Sequence, residues 1–259
     1  MLSYLTDLQL KDFEVGSPKW FQVQRDIIKS RPLVRICYET WYRKFIKAES
    51  TVPQQNKGII LELGSGASYL KEMKKDVVTS DIFPGVADHV FRAESIPFSD
   101  NSVRAIFMSH SFHHIPNIEL FFKDASRVLV PGGLIFIVEV AHTPMARFFF
   151  SKCCKDEDYD DKAKSWDFKQ THAMNDANQA LSWIIFSRDY NEFLKKFPQL
   201  RLEKKEYLPW LGYLLSGGVT RKNFIPNILS PFIQFVELLS KPVAQLTSLH
   251  WSLILRKSS

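Results

Sequence analysis

Cysteine is scarce. The 259 residues contain three, Cys37, Cys153 and Cys154, and two of these are chain neighbours. No C-x-x-C and no Cys/His ligand spacing occurs, so neither a disulfide framework nor a metal module organises the sequence, and no metal is expected. Thiols without a framework point to a reducing compartment. Long apolar runs are missing too: none reaches the ~18 uncharged residues of a spanning helix. The N-terminal stretch carries Asp7, Lys11 and Asp12 where a signal peptide needs a basic and then an apolar segment. A cytoplasmic protein is the expectation, with peripheral placement on the cytoplasmic membrane face as a second reading. Repeats and low-complexity tracts are also absent. What remains is a globular composition, 45% hydrophobic and 24% charged, with 21 phenylalanines. The net charge of +6 comes without a dense basic cluster, which disfavours nucleic acid as a partner.

The pattern along the chain alternates. Residues 18–47 show helical spacing of apolar and aromatic residues, broken near Pro32. From Gly58 short apolar runs end in turns or acids: GIILELGSG, then DVVTSD at 76–81, VRAIFMSH at 103–110 and GLIFIVEV at 133–140. The last follows the turn Pro131-Gly132-Gly133. Helical patterns lie between, notably at 117–130 and 187–198, with further strands expected at 200–208 and 250–257. Strands alternating with helices imply βαβ units and a parallel sheet. Two stretches break the rhythm, 141–186 and 208–247. Ligands in such sheets bind beyond the carboxyl ends of the strands, and both stretches emerge there.

Leu61-Glu62-Leu63-Gly64-Ser65-Gly66 places an acid two residues before a G-x-G turn at a strand end. Glycines there let the backbone approach a ligand closely. A dinucleotide fingerprint needs a third glycine where Tyr69 stands, and no Gly-Lys-Ser/Thr follows, so neither that motif nor a P-loop is present. Asp81 closes the second strand, where a carboxylate can take both hydroxyls of a ribose.

In these residues the chain resembles the class I S-adenosylmethionine (SAM) dependent methyltransferases. The motifs ILELGSG, VVTSD, AESIPFSDNSVRAIFMSHSFHHI and RVLVPGGLIFIVE stand in the family's order and cover roughly 58–140. The resemblance implies an α/β fold: a doubly wound, mostly parallel, Rossmann-like seven-stranded sheet with an antiparallel last strand. Residues 1–57 would be an N-terminal helical extension and 58–259 the methyltransferase domain, its two insertions forming a substrate cap. It implies SAM as cofactor. Gly64 and Gly66 would flank its methionine part, with Glu62 and Ser65 in the same turn; Asp81 would hold the ribose and Ile82 pack on adenine. Ala93 and Glu94 would lie at the adenine edge, and Ser109 and His110 beside the methionine end. The family commonly has Asp where this chain has Arg92, and a guanidinium cannot accept from the adenine amine. Glu94 or a backbone carbonyl would replace it, or SAM affinity would fall.

Candidate catalytic residues follow the third and fourth strands. His113 or His114 could take a proton from a hydroxyl nucleophile, or both could cap and fill beneath the next helix. Glu139 could orient a substrate or serve as a structural acceptor, and His142 faces the same side. The acidic run 155–161 reads as a solvated loop rather than a cation site. Trp166, Phe168, Trp183 and Phe186 read as cap core or acceptor-pocket lining. Ser230-Pro231 reads as a helix start and Pro242 as its stop, with Phe232, Phe235, Val236 and Leu239 on one face, widened by Ile233 and Leu238. Five basic residues and one acid occupy 221–259. Together with Phe148-Phe149-Phe150, this face suits either an interfacial membrane helix or a closed cap core. The expected activity is SAM-dependent methyl transfer, at oxygen, to a small-molecule, glycan or lipid-linked acceptor. A SAM-binding or membrane-associated interaction protein and an RNA methyltransferase are the alternatives. The sequence carries neither the N/D-P-P-Y/F motif of DNA-amine methylation nor the Pro-Cys of cytosine-C5 enzymes.

Overall fold

A computed structural model describes residues 6–153, 157–174 and 176–258. Seven strands form one sheet: β1 Ile59–Leu63, β2 Val77–Asp81, β3 His89–Val90, β4 Val103–Ser109, β5 Leu129–Val140, β6 Leu200–Tyr207 and β7 His250–Lys257. Their order is β3-β2-β1-β4-β5-β7-β6. β1 to β5 pair in parallel, and β7 lies antiparallel between β5 and β6. The order reverses at β1 and β4, where an open sheet leaves a crevice beyond its carboxyl ends. β4 and β5 are covered on both faces, which is why they read as continuous apolar runs rather than alternating ones.

The helices are α1 Pro18–Ser30, α2 Pro32–Glu49, α3 Leu70–Met73, α4 Ile118–Val128, α5 Pro144–Phe148, α6 Leu181–Trp183, α7 Tyr190–Lys196, α8 Leu211–Leu215 and α9 Ser230–Ser240. Proline at the first turn opens both α1 and α2, and Ser17 Oγ accepts from the Trp20 amide. α2 lies on one face of the sheet, its Phe45 ring 4.9 Å from Phe107 and 6.0 Å from Phe136. A buried Arg104–Glu49 ion pair ties its end to β4. Arg104 also donates to the carbonyls of Val52 and Pro53, which satisfies the guanidinium where water does not reach. α4 and the 181–197 segment cover the opposite face through Phe121, Phe122, Ile185 and Phe193.

Three local expectations change. Pro131-Gly132-Gly133 lies inside β5, because Leu129 pairs with Val103 before a register shift and Leu134 with Ala105 after it. Gly132 absorbs that shift with φ 73°. The two-residue edge strand β3 has no periodic signal to reveal it. Ser230 sits within the first turn of α9 and donates to the Asn227 carbonyl (2.6 Å) rather than capping the helix, which a 3₁₀ turn at Asn227–Leu229 leads in.

Candidate active site

The turn after β1 forms the floor of a cavity of about 450 Å³. Gly64 and Gly66 adopt φ 63° and 42°, in the left-handed region. A Cβ on Gly64 would fall 2.5 Å from Ser111 Cβ, so the loops after β1 and β4 meet only because this residue has no side chain. Asp81 braces the turn from β2: Oδ2 accepts from the Gly66 amide (2.9 Å) and Oδ1 from the Phe83 amide (3.1 Å). Burial pushes its carboxyl above the ordinary value, opposed by these two amides. Glu62 lies just beneath. Burial lifts it to about 8 against Ser68 and Arg25, with the Asp81 charge adding to the rise.

Helices α1 and α2 close this end, a contribution that no motif announces. Phe21 packs against Gly66 and Phe83, and Arg25 donates to the Gly66 carbonyl (3.2 Å). Trp20, Gln24 and Tyr38 join the lining. Ile82, Ala93 and Glu94 lie on the wall beyond Asp81, together with Phe83 and Phe91. Arg92 does not point at an open acceptor: its guanidinium donates to Glu94 (3.1 Å) and to Gln170 (2.9 Å). Gln170 in turn donates to the His114 carbonyl (2.9 Å), which straps the first insertion across this side.

At the other end, Ser109, His110, His113 and His114 line the wall, and Glu139 and His142 do not. Glu139 is fully buried behind the wall, accepting from the Phe112 amide (3.0 Å) and from His113 Nδ1 (2.5 Å). His142 stacks on Trp183 at 3.7 Å and hydrogen-bonds Tyr159, away from the cavity. Trp166, Phe168, Trp183 and Phe186 stay off the lining as well; Trp166 and Phe186 are buried in the core.

The acidic run departs most from expectation. Among its described residues Glu157 turns inward, because two positive or polar groups wait there: it accepts from His113 Nε2 (3.0 Å) and Gln179 Nε2 (2.9 Å). Lys155 and Asp156 lie outside the described residues. His113 is thus an imidazolium between two carboxylates. Burial alone would lower its pKa, but the charges and hydrogen bonds of Glu139 and Glu157 raise it to about 10. His114, by contrast, is held down to about 4 by burial and then by the neighbouring His113 charge. Its Nε2 lies 3.6 Å from Glu157, and its Nδ1 has no hydrogen-bond partner among the described residues. The donor atoms of His113, His114 and Glu157 lie within 4.8 Å of one another, an arrangement that the hydrogen bonds to Glu157 account for.

An aromatic end completes the cavity. His110, with φ 53°, stacks on Tyr213 and meets His250 edge-on at 4.7 Å. Phe149, Phe150 and Phe224 line the same end. Burial keeps His110 neutral, at about 4, and lowers His250 further. Residues of this structure fit a SAM-sized ligand: around the glycine cradle Glu62 Oε2, Ser65 Oγ, Ser109 Oγ and His110 Nε2 are buried without hydrogen-bond partners among the described residues.

Residues 61–137 match the model of a methyltransferase domain family. The ubiquinone/menaquinone biosynthesis C-methyltransferase of Rickettsia felis is 32% identical over 79 residues, 30% of this chain and 32% of its own. A demethylmenaquinone methyltransferase of Tropheryma whipplei is 43% identical over 47 residues, 18% of this chain and 20% of its own. The chain therefore matches about a third or less of the length of these relatives. A SAM-dependent methyltransferase structure from Thermotoga maritima aligns with TM-score 0.50 at 14% identity, covering 93% of this chain and 94% of that one, and it shares the fold.

Proposed function

We propose that the chain is a class I SAM-dependent methyltransferase, a reading supported by the methyltransferase-domain match over 61–137, and that it methylates the hydroxyl of an apolar, ring-bearing or lipid-linked acceptor seated in the aromatic end of the cavity. One observation carries this reading: a single cavity joins the glycine cradle to His114, a buried imidazole that burial and the His113 charge keep neutral.

Bound SAM supplies a methyl group on a positively charged sulfur. Asp81 would hold its ribose with the lone pairs left after its two amide contacts. Glu62, Ser65, Ser109 and His110 offer partnerless polar atoms toward the methionine end. Ile82 and Phe83 present apolar surface to the adenine, and Glu94, already holding Arg92, is the carboxylate on that edge. For the acceptor, His114 takes the hydroxyl proton. The Glu157 carboxylate beside its Nε2 stabilises the imidazolium that forms, as the carboxylate partner of a catalytic histidine does. His113 does not serve as base, being protonated already. It fixes Glu157, and Glu139 fixes His113, so these two are positioning residues. Aligning the acceptor in a closed cavity contributes the larger share, up to roughly 7–11 kcal/mol. His142, stacked on Trp183, has no part in this scheme.

A carbon acceptor is the second reading, favoured by the Rickettsia relative's name as a C-methyltransferase. A phenolic ring deprotonated by the same transfer would receive the methyl at a ring carbon, and the hydrogen of that carbon would then leave as a proton while the phenol oxygen regains one. Mass spectrometry and NMR of the product from labelled SAM separate the two. For the shared step, His114→Gln is expected to lower kcat by about 10²–10⁴-fold with unchanged SAM affinity in calorimetry. An unchanged kcat would remove His114 as the base, and failure of the native chain to bind SAM would remove the whole reading.

A further inference from the structure

We propose that the second insertion is a docking surface for an anionic lipid bilayer, with α9 lying in the plane of the headgroups. Nine of the fifteen exposed large apolar side chains among the described residues fall between 224 and 246. Ile228 is 85% exposed, Phe232 62%, Phe235 57% and Leu239 63%. On α9 only Ser230 and Ile233 are buried. A closed cap, the other reading open from the sequence, requires these side chains to bury one another, and they do not.

The patch is held in place. Arg31, paired with Asp7, donates to the carbonyls of Ser216 (3.1 Å) and Arg221 (2.6 Å). The one acid of α9, Glu237, is turned inward and accepts from the Gly212 amide (3.0 Å), so the outer face of the helix carries no negative charge. Lys222 and Lys241 flank that face, both exposed. Residues 244–247 pack against α5, which brings Phe148 (60% exposed) alongside, with Arg147 next to it paired to Asp161 (3.4 Å). Apolar anchors rimmed by cations complement an anionic headgroup layer with acyl chains beneath it. No helix among the described residues is long and apolar enough to cross a membrane, so the contact lies in the interface. Phe224 belongs both to the exposed patch and to the cavity lining, so the patch runs into the mouth of the cavity. A surface so placed presents that mouth to amphiphiles held in the bilayer. The surface stands whichever atom is methylated.

Flotation of the full chain with vesicles of phosphatidylcholine, with and without phosphatidylglycerol, tests this. Binding is expected to the anionic vesicles at low salt and to weaken at high salt. Phe232→Asp together with Phe235→Asp should reduce it by about tenfold or more. Lys222→Gln or Lys241→Gln should each reduce it by about fivefold, on anionic vesicles only. Circular dichroism and SAM titration should match the native chain in every variant, which separates this surface from the cofactor site. No flotation at low salt would overturn the proposal. So would a concentration-dependent dimer, broken by Phe232→Asp, in a chain that ignores vesicles, because a second copy would then be what covers the face.

Discussion

Helices α4 and α9 have the same length, 11 residues, and both carry two phenylalanines with aliphatic residues at helical spacing. Their fates differ. α4 buries Ile118, Phe121, Phe122, Ala125 and Val128, whereas α9 buries only Ile233 among its apolar residues. The charges account for the contrast. In α4, Glu119, Lys123, Asp124 and Arg127 mark a wet side, which forces the apolar side onto the sheet. Asp124 and Arg127 pair with each other there. In α9 the lone Glu237 faces inward, toward the α8 amides, so no charged side competes for water and the apolar residues face out. Periodicity announces an apolar face, and only the surroundings decide what covers it.

The sharpest way to break this comparison is to truncate one phenylalanine of α4. Phe122 is fully buried, with ring centroids 5.8, 5.0 and 5.2 Å from Phe112, Phe193 and Phe197. Phe122→Ala is expected to destabilise the fold by about 3–5 kcal/mol in denaturant unfolding, the cost of lost transfer plus cavity. A cost under about 1 kcal/mol would mean that this layer repacks freely and that α4 is not a core helix.

A smaller effect is expected in the cofactor region, where strand register dictates position. Asp81→Ala should weaken SAM binding by about 1.5–3 kcal/mol, since a charged acceptor is lost. Unchanged affinity would detach Asp81 from the ribose and leave it only the Gly66 and Phe83 amides. This region was the legible one. Each of Gly64, Gly66, Asp81, Ile82, Ser109 and His110 ends or follows a strand, and strand ends in a parallel sheet converge, so sequence order alone carried them to one cavity. Phe21, Gln24, Glu157 and Gln170 reach the same cavity from a helix and a loop whose direction no local pattern records. In the sequence Glu157 belongs to a run that reads as solvated because acids usually are, and the attraction that draws it inward comes from His113, 44 residues away. Glu139 lies within β5 beside Val140, which lines the cavity, so Glu139 points to the opposite face and is buried behind the wall; His142 stands two residues beyond the strand and stacks on Trp183.

The pH response separates the two histidines of the pair. With His114 held near 4, the acid limb of kcat/KM should break near pH 4, not near the 6.5 of an exposed imidazole. Stability sets the window. His110 and His114 are neutral in the fold with pKa values near 4, so the unfolded chain binds more protons between 6.5 and 4. Their contribution to stability is complete above 6.5 and drains as pH falls toward 4. Rates are therefore to be read only where circular dichroism still shows the native fold. A break at 6.5 in the folded protein would assign proton transfer to a solvated group and take it from His114.

The smallest effect returns to α9. Phe232 stands in the first turn, 62% exposed, and its replacement by Asp leaves no cavity. A carboxylate at that place also meets the positive end of the helix dipole, worth about 0.3–1 kcal/mol in its favour. Phe and Asp have nearly equal helix propensity, so little opposes that gain. Thermal and denaturant unfolding of Phe232→Asp should thus differ from the native chain by no more than about 0.5 kcal/mol, the usual range for a surface substitution. The same aromatic-to-smaller change that costs several kcal/mol at Phe122 would then cost nothing measurable here. If Phe232→Asp instead destabilises the isolated chain by about 2 kcal/mol or more, the face is covered in solution, and α9 is a core helix like α4 whose cover comes from a second copy or a closed form of the cap.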